Sequence, residues 1–220
     1  MCRGGADAVI EGLLATLTDS GTLLMPALSY ENVNTANPVF DVSQTPSCVG
    51  LIAETFRRRH DVQRSVHPTH SVSGLGPNAA TLLNGHEKDR TPCGCHSPFR
   101  KLCYLARGQI LMLGCGLQAN TSIHAIEELV QPDYLFEPDQ TYQITTAQGE
   151  TYSATYRTHG FDGWIQHYDR ISGLVEPPEH RTGTVLGTTA HLIDAAAMWD
   201  AVGEALQRDQ YFLVDQHPSK

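Results

Sequence analysis

The residues best suited to acid–base chemistry are His124 and Glu127, which stand three positions apart. Asn120-Thr121 predicts the start of a helix that runs to about Val130, and residues three apart share one face of a helix. His124 falls in the first turn, where the helix dipole disfavours imidazolium and keeps the ring neutral, as a general base requires. Glu127 could then hold one ring nitrogen and offset the charge on the other. The same spacing is also common in pairs on helix surfaces, so the pattern alone leaves both interpretations open.

A second polar cluster, Arg64–Ser71, holds two histidines, two serines and an arginine within eight positions. Such a set could contain a Ser/His nucleophile or half of a metal site. No G-x-S-x-G elbow surrounds either serine, which disfavours a hydrolase. The alternative is a polar loop whose hydroxyl groups cap backbone groups.

Cys93, Cys95 and His96 raise the question of a zinc site. The C-x-C spacing differs from the paired C-x2-C arrangement that is typical of structural zinc. We therefore expect no metal, and we expect the six cysteines to be reduced and scattered. A zinc-binding module remains an alternative.

The segments that must position these residues alternate between helical and strand patterns. Ile110–Leu113 is continuously apolar, which predicts a strand buried on both faces, and Gly114-Cys115-Gly116 then allows a sharp turn toward the helix that carries His124. Tyr142–Tyr156 alternates apolar and polar residues around Gln148-Gly149, which predicts a β-hairpin. The alternation favours one α/β domain over residues 1–220 with a mixed sheet. Further predicted elements are helices at Gly5–Leu17, Val49–Arg59, Pro77–Leu83, Ser97–Leu105 and Ala195–Leu206, a strand at Thr22–Pro26, a strand pair at Thr184–Ile193, a surface loop at Tyr30–Thr45, and a mobile or helical insert at His159–Leu174.

The composition narrows the choice of partners. With 24 acidic and 15 basic residues, the formal net charge is -9, which disfavours nucleic acid and permits a cationic substrate. Many proteins are acidic for solubility alone, so the charge does not by itself indicate such a substrate. No apolar run approaches the roughly 20 residues of a membrane span, and Met1–Gly5 lacks the apolar part of a secretory signal. We expect a cytoplasmic protein that binds no membrane.

Six segments resemble, in order, the aminoglycoside 3-N-acetyltransferase family. The resemblance runs from the first residues to about Val130 and returns more weakly at Gly183–Asp194. It implies a three-layer α/β/α fold with a mixed central sheet and a late hairpin insertion. It also implies acetyl-CoA as donor and direct transfer to an amine, without a covalent enzyme intermediate. The six segments are Gly4–Ile10, Gly21–Pro26, Arg64–Ser71, Pro92–Pro98, Leu113–Gly116 and Asn120–Glu127.

The resemblance also implies roles for individual residues. His124 would take the proton from the attacking amine, Glu127 would orient and charge-balance His124, and Thr121 would help to position the thioester or stabilise its oxyanion. Glu128 and Asp162 would meet the ammonium groups of the acceptor, for which the best candidate is the 3-amino group of a 2-deoxystreptamine aminoglycoside. The protein would act as a monomer or homodimer. The residues that would line the CoA channel are Arg64, Ser65, His67, His70 and Ser71.

The sequence departs from the family at its beginning. Family members carry another helix, and a strand that ends in a His-Ser-Ser-type loop, before the segment that starts here at Gly4. We therefore expect those elements to be missing from this chain, together with part of the cofactor site, leaving a sheet edge or an apolar face uncovered. Two functions stay open: an active amine acetyltransferase, whose acceptor need not be an antibiotic, and a non-catalytic remnant that binds CoA or a partner.

Overall fold

The computed structural model describes residues 4–105 and 107–218. Their contacts divide into two compact units. The first unit comprises the residues up to Pro98 together with Pro138–Arg157, and the second comprises Phe99–Glu137 together with the residues from Thr158 onward. Met1–Arg3, on which part of the prediction about the N-terminus rests, lie outside the described residues.

The described residues form α-helices, short 3-10 helices and strands in alternation. The 3-10 helices are His86–Lys88, Leu117–Ala119, Thr121–Ile123 and Tyr168–Gly173. The α-helices are α1 Gly5–Leu17, α2 Leu51–Arg57, α3 Ala79–Leu83, α4 Pro98–Cys103, α5 His124–Val130 and α6 Ala195–Arg208. The strands are β1 Leu23–Pro26, β2 Val39–Asp41, β3 Gln63–Arg64, β4 Val72–Leu75, β5 Gln109–Leu113, β6 Phe136–Thr145, β7 Thr151–His159, β8 Trp164–Gln166, β9 His180–Val185, β10 Thr188–Asp194 and β11 Val214–Gln216.

The first unit is built on two small sheets. In one sheet, β4 pairs antiparallel with both β1 and β3, and apolar residues that include Ile10, Met25 and Phe56 pack together beside it. In the other sheet, β2 runs parallel to β6, and β7 lies on the far side of β6. The turn between β6 and β7 is closed by hydrogen bonds from the Thr146 N–H to the Glu150 carbonyl (2.8 Å) and from the Gly149 N–H to the Thr146 carbonyl (3.0 Å). The predicted hairpin is therefore confirmed.

The second unit carries the helix that holds His124. Strand β10 pairs antiparallel with β5 and β9, and β11 pairs with β8. Helix α6 starts at an N-cap, where the Asp194 side chain accepts a hydrogen bond from the Ala197 N–H at 3.0 Å. Its apolar face, including Met198 and Val202, shares one buried cluster with Ile123 and Ile126. This shared core holds α5 against α6.

The α/β class is confirmed, but the predicted loop over Tyr30–Thr45 is wrong in part. The segment contains β2 and buries Val33, Phe40 and Val42 in the core of the first unit. The Phe40 ring also packs against the guanidinium of Arg64, with the central carbon 4.9 Å from the ring centroid. These apolar residues are too widely spaced among polar ones for a strand or helix period to be visible in the sequence.

Two other expectations also need correction. Ile110–Leu113 lies in a strand, but only one of its faces is buried, since Ile110 and Met112 are inside while Leu111 is 42% exposed. The strand pairs antiparallel, and such a strand can leave one face in solvent. The mobile or helical insert predicted over His159–Leu174 is helical only at Tyr168–Gly173, which form a 3-10 helix, and it also contains the end of β7 and strand β8.

None of the described helices combines the length and the apolar character that crossing a membrane would require.

Candidate functional site

The turn after β5 delivers His124 to the start of α5. Gly114 follows the last residue of β5 and has φ +73°, a backbone conformation that residues with a Cβ rarely adopt. The Asn120 side chain then accepts a hydrogen bond from the Ser122 N–H at 3.1 Å and caps the 3-10 turn Thr121–Ile123. The helix continues directly from this turn, so the position of His124 is set by backbone bonds on both sides.

His124 and Glu127 form a buried hydrogen-bonded pair. The distance from His124 Nδ1 to Glu127 Oε2 is 2.8 Å, and the two side chains are 12% and 0% exposed. Because an ionised carboxylate only accepts hydrogen bonds, Nδ1 carries the proton and Nε2 is the basic nitrogen. A pair on the helix surface is therefore excluded, and the arrangement has the geometry that a general base and an orienting carboxylate would need.

Two tyrosines complete the environment of the Glu127 carboxylate. The Tyr134 hydroxyl donates to Oε1 at 2.9 Å and the Tyr168 hydroxyl donates to Oε2 at 3.1 Å. Burial raises the pKa of Tyr134, and the charge of Glu127 raises it further, so this hydroxyl keeps its proton. Sequence reasoning missed both residues. Their separations of 7 and 41 positions from Glu127 give no local pattern that links them to it.

Aromatic rings surround the imidazole of His124. Ring centroids lie at 4.7 Å for His159, 5.4 Å for Phe161 and 5.4 Å for Tyr168, the last in an edge-to-face arrangement at 80°. Phe161 has φ +58°, a conformation that costs a bulky residue about 1–3 kcal/mol and persists only where packing enforces it. The ring of His124 is thus held by packing as well as by its hydrogen bond.

The other predicted residues of this unit lie near His124 in the chain or in space. Thr121 is half-buried, one turn before His124, and its carbonyl accepts the His124 N–H. Glu128 is buried, and its Oε1 lies 2.8 Å from His159 Nε2, so the structure gives this carboxylate a partner inside the protein. Asp162 is exposed and follows Phe161 directly. Of the two predicted acceptor residues, only Asp162 is open to solvent.

The residues predicted to line the CoA channel lie in the first unit. The guanidinium of Arg64 there donates most of its hydrogen bonds to other groups of the chain. Its Nε donates to Ser71 Oγ at 2.9 Å, and its terminal nitrogens donate to the carbonyls of Val42, Thr45 and Ala27 at 3.1, 2.6 and 2.8 Å. Four of the five N–H groups of the guanidinium are thereby engaged. Burial lowers the pKa of Arg64 to about 9, so the group remains a cation at neutral pH.

The serines and histidines of the same segment are buried and hydrogen-bonded. Ser65 Oγ lies 2.9 Å from His86 Nδ1 and accepts the Val72 N–H at 2.9 Å. His67 Nδ1 accepts the N–H groups of Thr69 and His70 at 3.3 and 3.0 Å. The hydroxyl of Ser65 thus bonds to a backbone group, as in the alternative of a polar loop whose hydroxyl groups cap backbone groups. Sequence reasoning missed His86, which stacks on His67 at 4.9 Å.

Three side chains of the first unit could together hold a metal ion. The donor atoms of Asp89, Cys95 and His96 all lie within 4.8 Å of one another. They also bond to each other, with His96 Nδ1 at 2.8 Å from Asp89 Oδ1 and at 3.2 Å from Cys95 Sγ. Asp89 was not part of the zinc set considered from the sequence, because its contribution depends on a fold of the chain that spacing does not reveal.

The sequence model of the aminoglycoside 3-N-acetyltransferase family matches residues 1–207. The chain belongs to this family. Among curated relatives, aminoglycoside N(3)-acetyltransferase III of Serratia marcescens is 30% identical over 219 residues, which are 88% of this chain and 81% of the relative. An aminoglycoside N(3')-acetyltransferase-like prophage protein of Bacillus subtilis, YokD, is 31% identical over 145 residues, or 57% of this chain and 53% of that protein.

Aminoglycoside N(3)-acetyltransferase IV of a Salmonella species is 33% identical over 132 residues, which are 59% of this chain and 48% of the relative. The chain thus spans about half the length of several curated members of the family that it matches.

Solved structures of the family share the fold. The aminoglycoside acetyltransferase AAC(3)-IVa, as apoenzyme, superposes with a TM-score of 0.77 and 26% identity, covering 98% of this chain and 79% of its own. A mutant of that enzyme in complex with a gentamicin gives a TM-score of 0.80 with 25% identity, over 99% of this chain and 80% of its own. AAC-IIIb in binary complex with CoASH gives a TM-score of 0.75 with 25% identity, over 98% of this chain and 86% of its own.

Proposed function

We propose that this family member transfers the acetyl group of acetyl-CoA to an amine of a cationic substrate, with the 3-amino group of a 2-deoxystreptamine aminoglycoside as the best candidate. The observation that carries the proposal is the buried His124–Glu127 pair, with the proton on Nδ1 and Nε2 left as the base. Family membership supports the same chemistry.

In the proposed reaction, His124 Nε2 takes a proton from the acceptor amine as the nitrogen attacks the thioester carbonyl. The N–C bond forms and the C–S bond breaks, and the proton held by His124 passes to the leaving CoA sulfur. Glu127 stabilises the transient imidazolium through the bond to Nδ1. Thr121, one turn before His124, is the candidate to position the thioester.

The donor and the acceptor are each supported by a separate observation. One solved relative is a binary complex with CoASH, and others hold a gentamicin or sisomicin. We propose that the Arg64–Ser71 segment lines the CoA channel and that Asp162, which is exposed, meets an ammonium group of the acceptor. Use of acetyl-CoA fits the cytoplasmic location expected from the sequence, which stays a prediction, as do the single domain and the oligomeric state.

The proposal is tested by incubating the purified chain with acetyl-CoA and a panel of aminoglycosides, and by following release of the CoA thiol. Mass spectrometry with fragmentation identifies the acetylated nitrogen. We expect thiol release that matches N-acetylated product one to one. Tight binding of CoA without turnover on any amine would instead support the alternative of a non-catalytic binder.

Replacing Tyr168 with phenylalanine is expected to lower kcat by about tenfold. The change removes a hydroxyl that donates to Glu127, and a hydrogen bond to a charged group contributes about 1.5–3 kcal/mol. The KM for acetyl-CoA should change little, because Tyr168 acts on the base rather than on the cofactor. Tyr104→Phe is the matched control, since Tyr104 is 71% exposed. Equal loss of activity in both variants would show that the Tyr168 hydroxyl does not specifically support the base.

Dialysis against EDTA is expected to leave thiol release unchanged. The proposed transfer needs only a base and a polarised thioester, and none of its steps uses a metal. Metal content of the dialysed protein, measured by mass spectrometry, is the control for the Asp89, Cys95 and His96 group. Activity that disappears with EDTA and returns with zinc would contradict the expectation that no metal is required.

A further inference from the structure

A second histidine–carboxylate pair lies beside the first. His159 Nε2 is 2.8 Å from Glu128 Oε1, and the two side chains are only 5% and 2% exposed. Glu127 and Glu128 are neighbours on α5, yet each carboxylate contacts a different histidine. Buried carboxylates are rare without a partner, and here two consecutive ones are each hydrogen-bonded to an imidazole.

The two imidazole rings are in contact. The centroids of His124 and His159 are 4.7 Å apart at an interplanar angle of 52°, and Phe136 lies 5.7 Å from His159 on another side. The next residue, Gly160, donates its N–H to the Leu135 carbonyl at 3.1 Å, which anchors the chain at this point. A Cβ at Gly160 would collide with the exposed side chain of Glu137, which would have to move to admit a larger residue.

The surroundings of His159 favour its neutral form. Burial lowers the pKa of His159 well below its usual value, and the neighbouring His124 lowers it further. A neutral His159 does not repel the imidazolium that forms on His124. Glu128 meanwhile adds a second carboxylate next to Glu127, and negative charge nearby stabilises the imidazolium.

We propose that His159, held in place by Glu128, is a positioning residue for His124. Its ring fixes the plane of the His124 ring, and Glu128 supplies negative charge that favours the protonated base during acetyl transfer. This inference rests on the proposed function, because it assigns the pair to the same catalytic centre. It reaches beyond that function by giving Glu128 an internal role instead of a contact with the acceptor.

His159→Ala is expected to lower kcat by about tenfold, which is less than the loss expected when the base itself is removed. The KM for acetyl-CoA should stay within about twofold of the wild-type value, since a positioning role acts mainly on the chemical step. His159→Gln should recover part of kcat, because the glutamine amide can still donate to Glu128. His217→Ala, at an exposed histidine of the same unit, is the matched control.

The pH profile separates positioning from mere structural support. The ionisable groups in contact with His124 are Glu127 from α5, His159 from β7 and Tyr168 from the 3-10 helix, and Glu128 reaches this cluster through its bond to His159. Glu128→Gln keeps an oxygen that can accept from His159 but removes the charge. The acid limb of kcat/KM should therefore move to lower pH in this variant, because the imidazolium loses a stabilising charge. If the acid limb of kcat/KM stays at the same pH in a folded Glu128→Gln variant, the proposed electrostatic effect of Glu128 on His124 is wrong.

The tautomer of His124 can be measured by NMR without any catalytic activity. In protein with 15N-labelled histidine, long-range proton–nitrogen spectra report the tautomer of each ring, with His124 assigned from its alanine variant. We expect one Nδ1–H tautomer in the wild type and a mixture in His159→Ala. An unchanged tautomer in folded His159→Ala, with unchanged kcat where turnover exists, would overturn the inference. A tautomer change in a chain that acetylates no amine would sustain the positioning role and reject the proposed function.

Discussion

Replacing His124 with alanine is expected to lower kcat by about 10²–10⁴-fold, the usual contribution of a general base. The variant removes the only group of the described cluster that combines a basic nitrogen, partial exposure and a hydrogen bond to a buried carboxylate. Affinity for acetyl-CoA should be nearly unchanged, because the proton transfers proposed for His124 take place only after acetyl-CoA has bound. Steady-state thiol release and equilibrium binding of acetyl-CoA measure the two quantities separately.

The control for this variant is His217→Ala, since His217 is exposed and belongs to the same unit. The control should retain the wild-type kcat. Full activity in the His124 variant would show that another group accepts the proton. A similar loss in both variants would indicate damage to the fold instead, and thermal unfolding of each protein distinguishes these outcomes.

Replacing Glu127 with glutamine is expected to have the second largest effect, a loss of about 10²-fold or more in kcat. The carboxylate accepts from His124, Tyr134 and Tyr168 at 2.8, 2.9 and 3.1 Å. Glutamine has one accepting oxygen and places an N–H₂ group where the second oxygen stood, so it cannot receive all three donors. The His124 ring then loses the bond that selects the Nδ1–H tautomer and the charge that balances the imidazolium.

The cost of this substitution in the free energy of unfolding should be modest, about 1–3 kcal/mol, because a tyrosine hydroxyl can turn round and accept from the new amide. Chemical denaturation measures it. Glu204→Gln serves as the matched control, since Glu204 lies on the surface of α6 in an exposed pair with Arg208 that contributes little. A Glu127→Gln variant that fails to fold would identify the pair as structural, and one with the wild-type kcat would remove Glu127 from the mechanism.

Local patterns predicted the parts of the site that are close together in the sequence. The three-residue spacing of His124 and Glu127 on a helix was enough to place their side chains on one face, and the structure brings Nδ1 and Oε2 to 2.8 Å. The apolar spacing of Gly5–Leu17 likewise predicted α1 with its observed bounds. The burial of Glu127 was not visible, because it depends on which elements pack against α5.

The remaining partners of the site are far apart in the sequence. Tyr168, in a 3-10 helix, lies 41 positions after Glu127 in the sequence. His159, at the end of a strand, lies 35 positions after His124. Neither segment has a strong period, and a buried tyrosine looks like any other core residue until its hydroxyl has a partner. Tertiary packing therefore brings these two residues to the site, and no local sequence pattern predicts it.

Thiol release by the wild-type chain and by His124→Ala, measured under identical conditions, tests directly whether this chain transfers an acetyl group with His124 as the base. The reaction contains acetyl-CoA and the aminoglycoside panel, and the products are identified by mass spectrometry. We expect one acetyl group on an amine of the acceptor for each thiol released by the wild type, with turnover lost in the folded variant that still binds acetyl-CoA. Equal turnover in the two proteins, or a wild type that binds acetyl-CoA and acetylates no amine, would contradict this expectation.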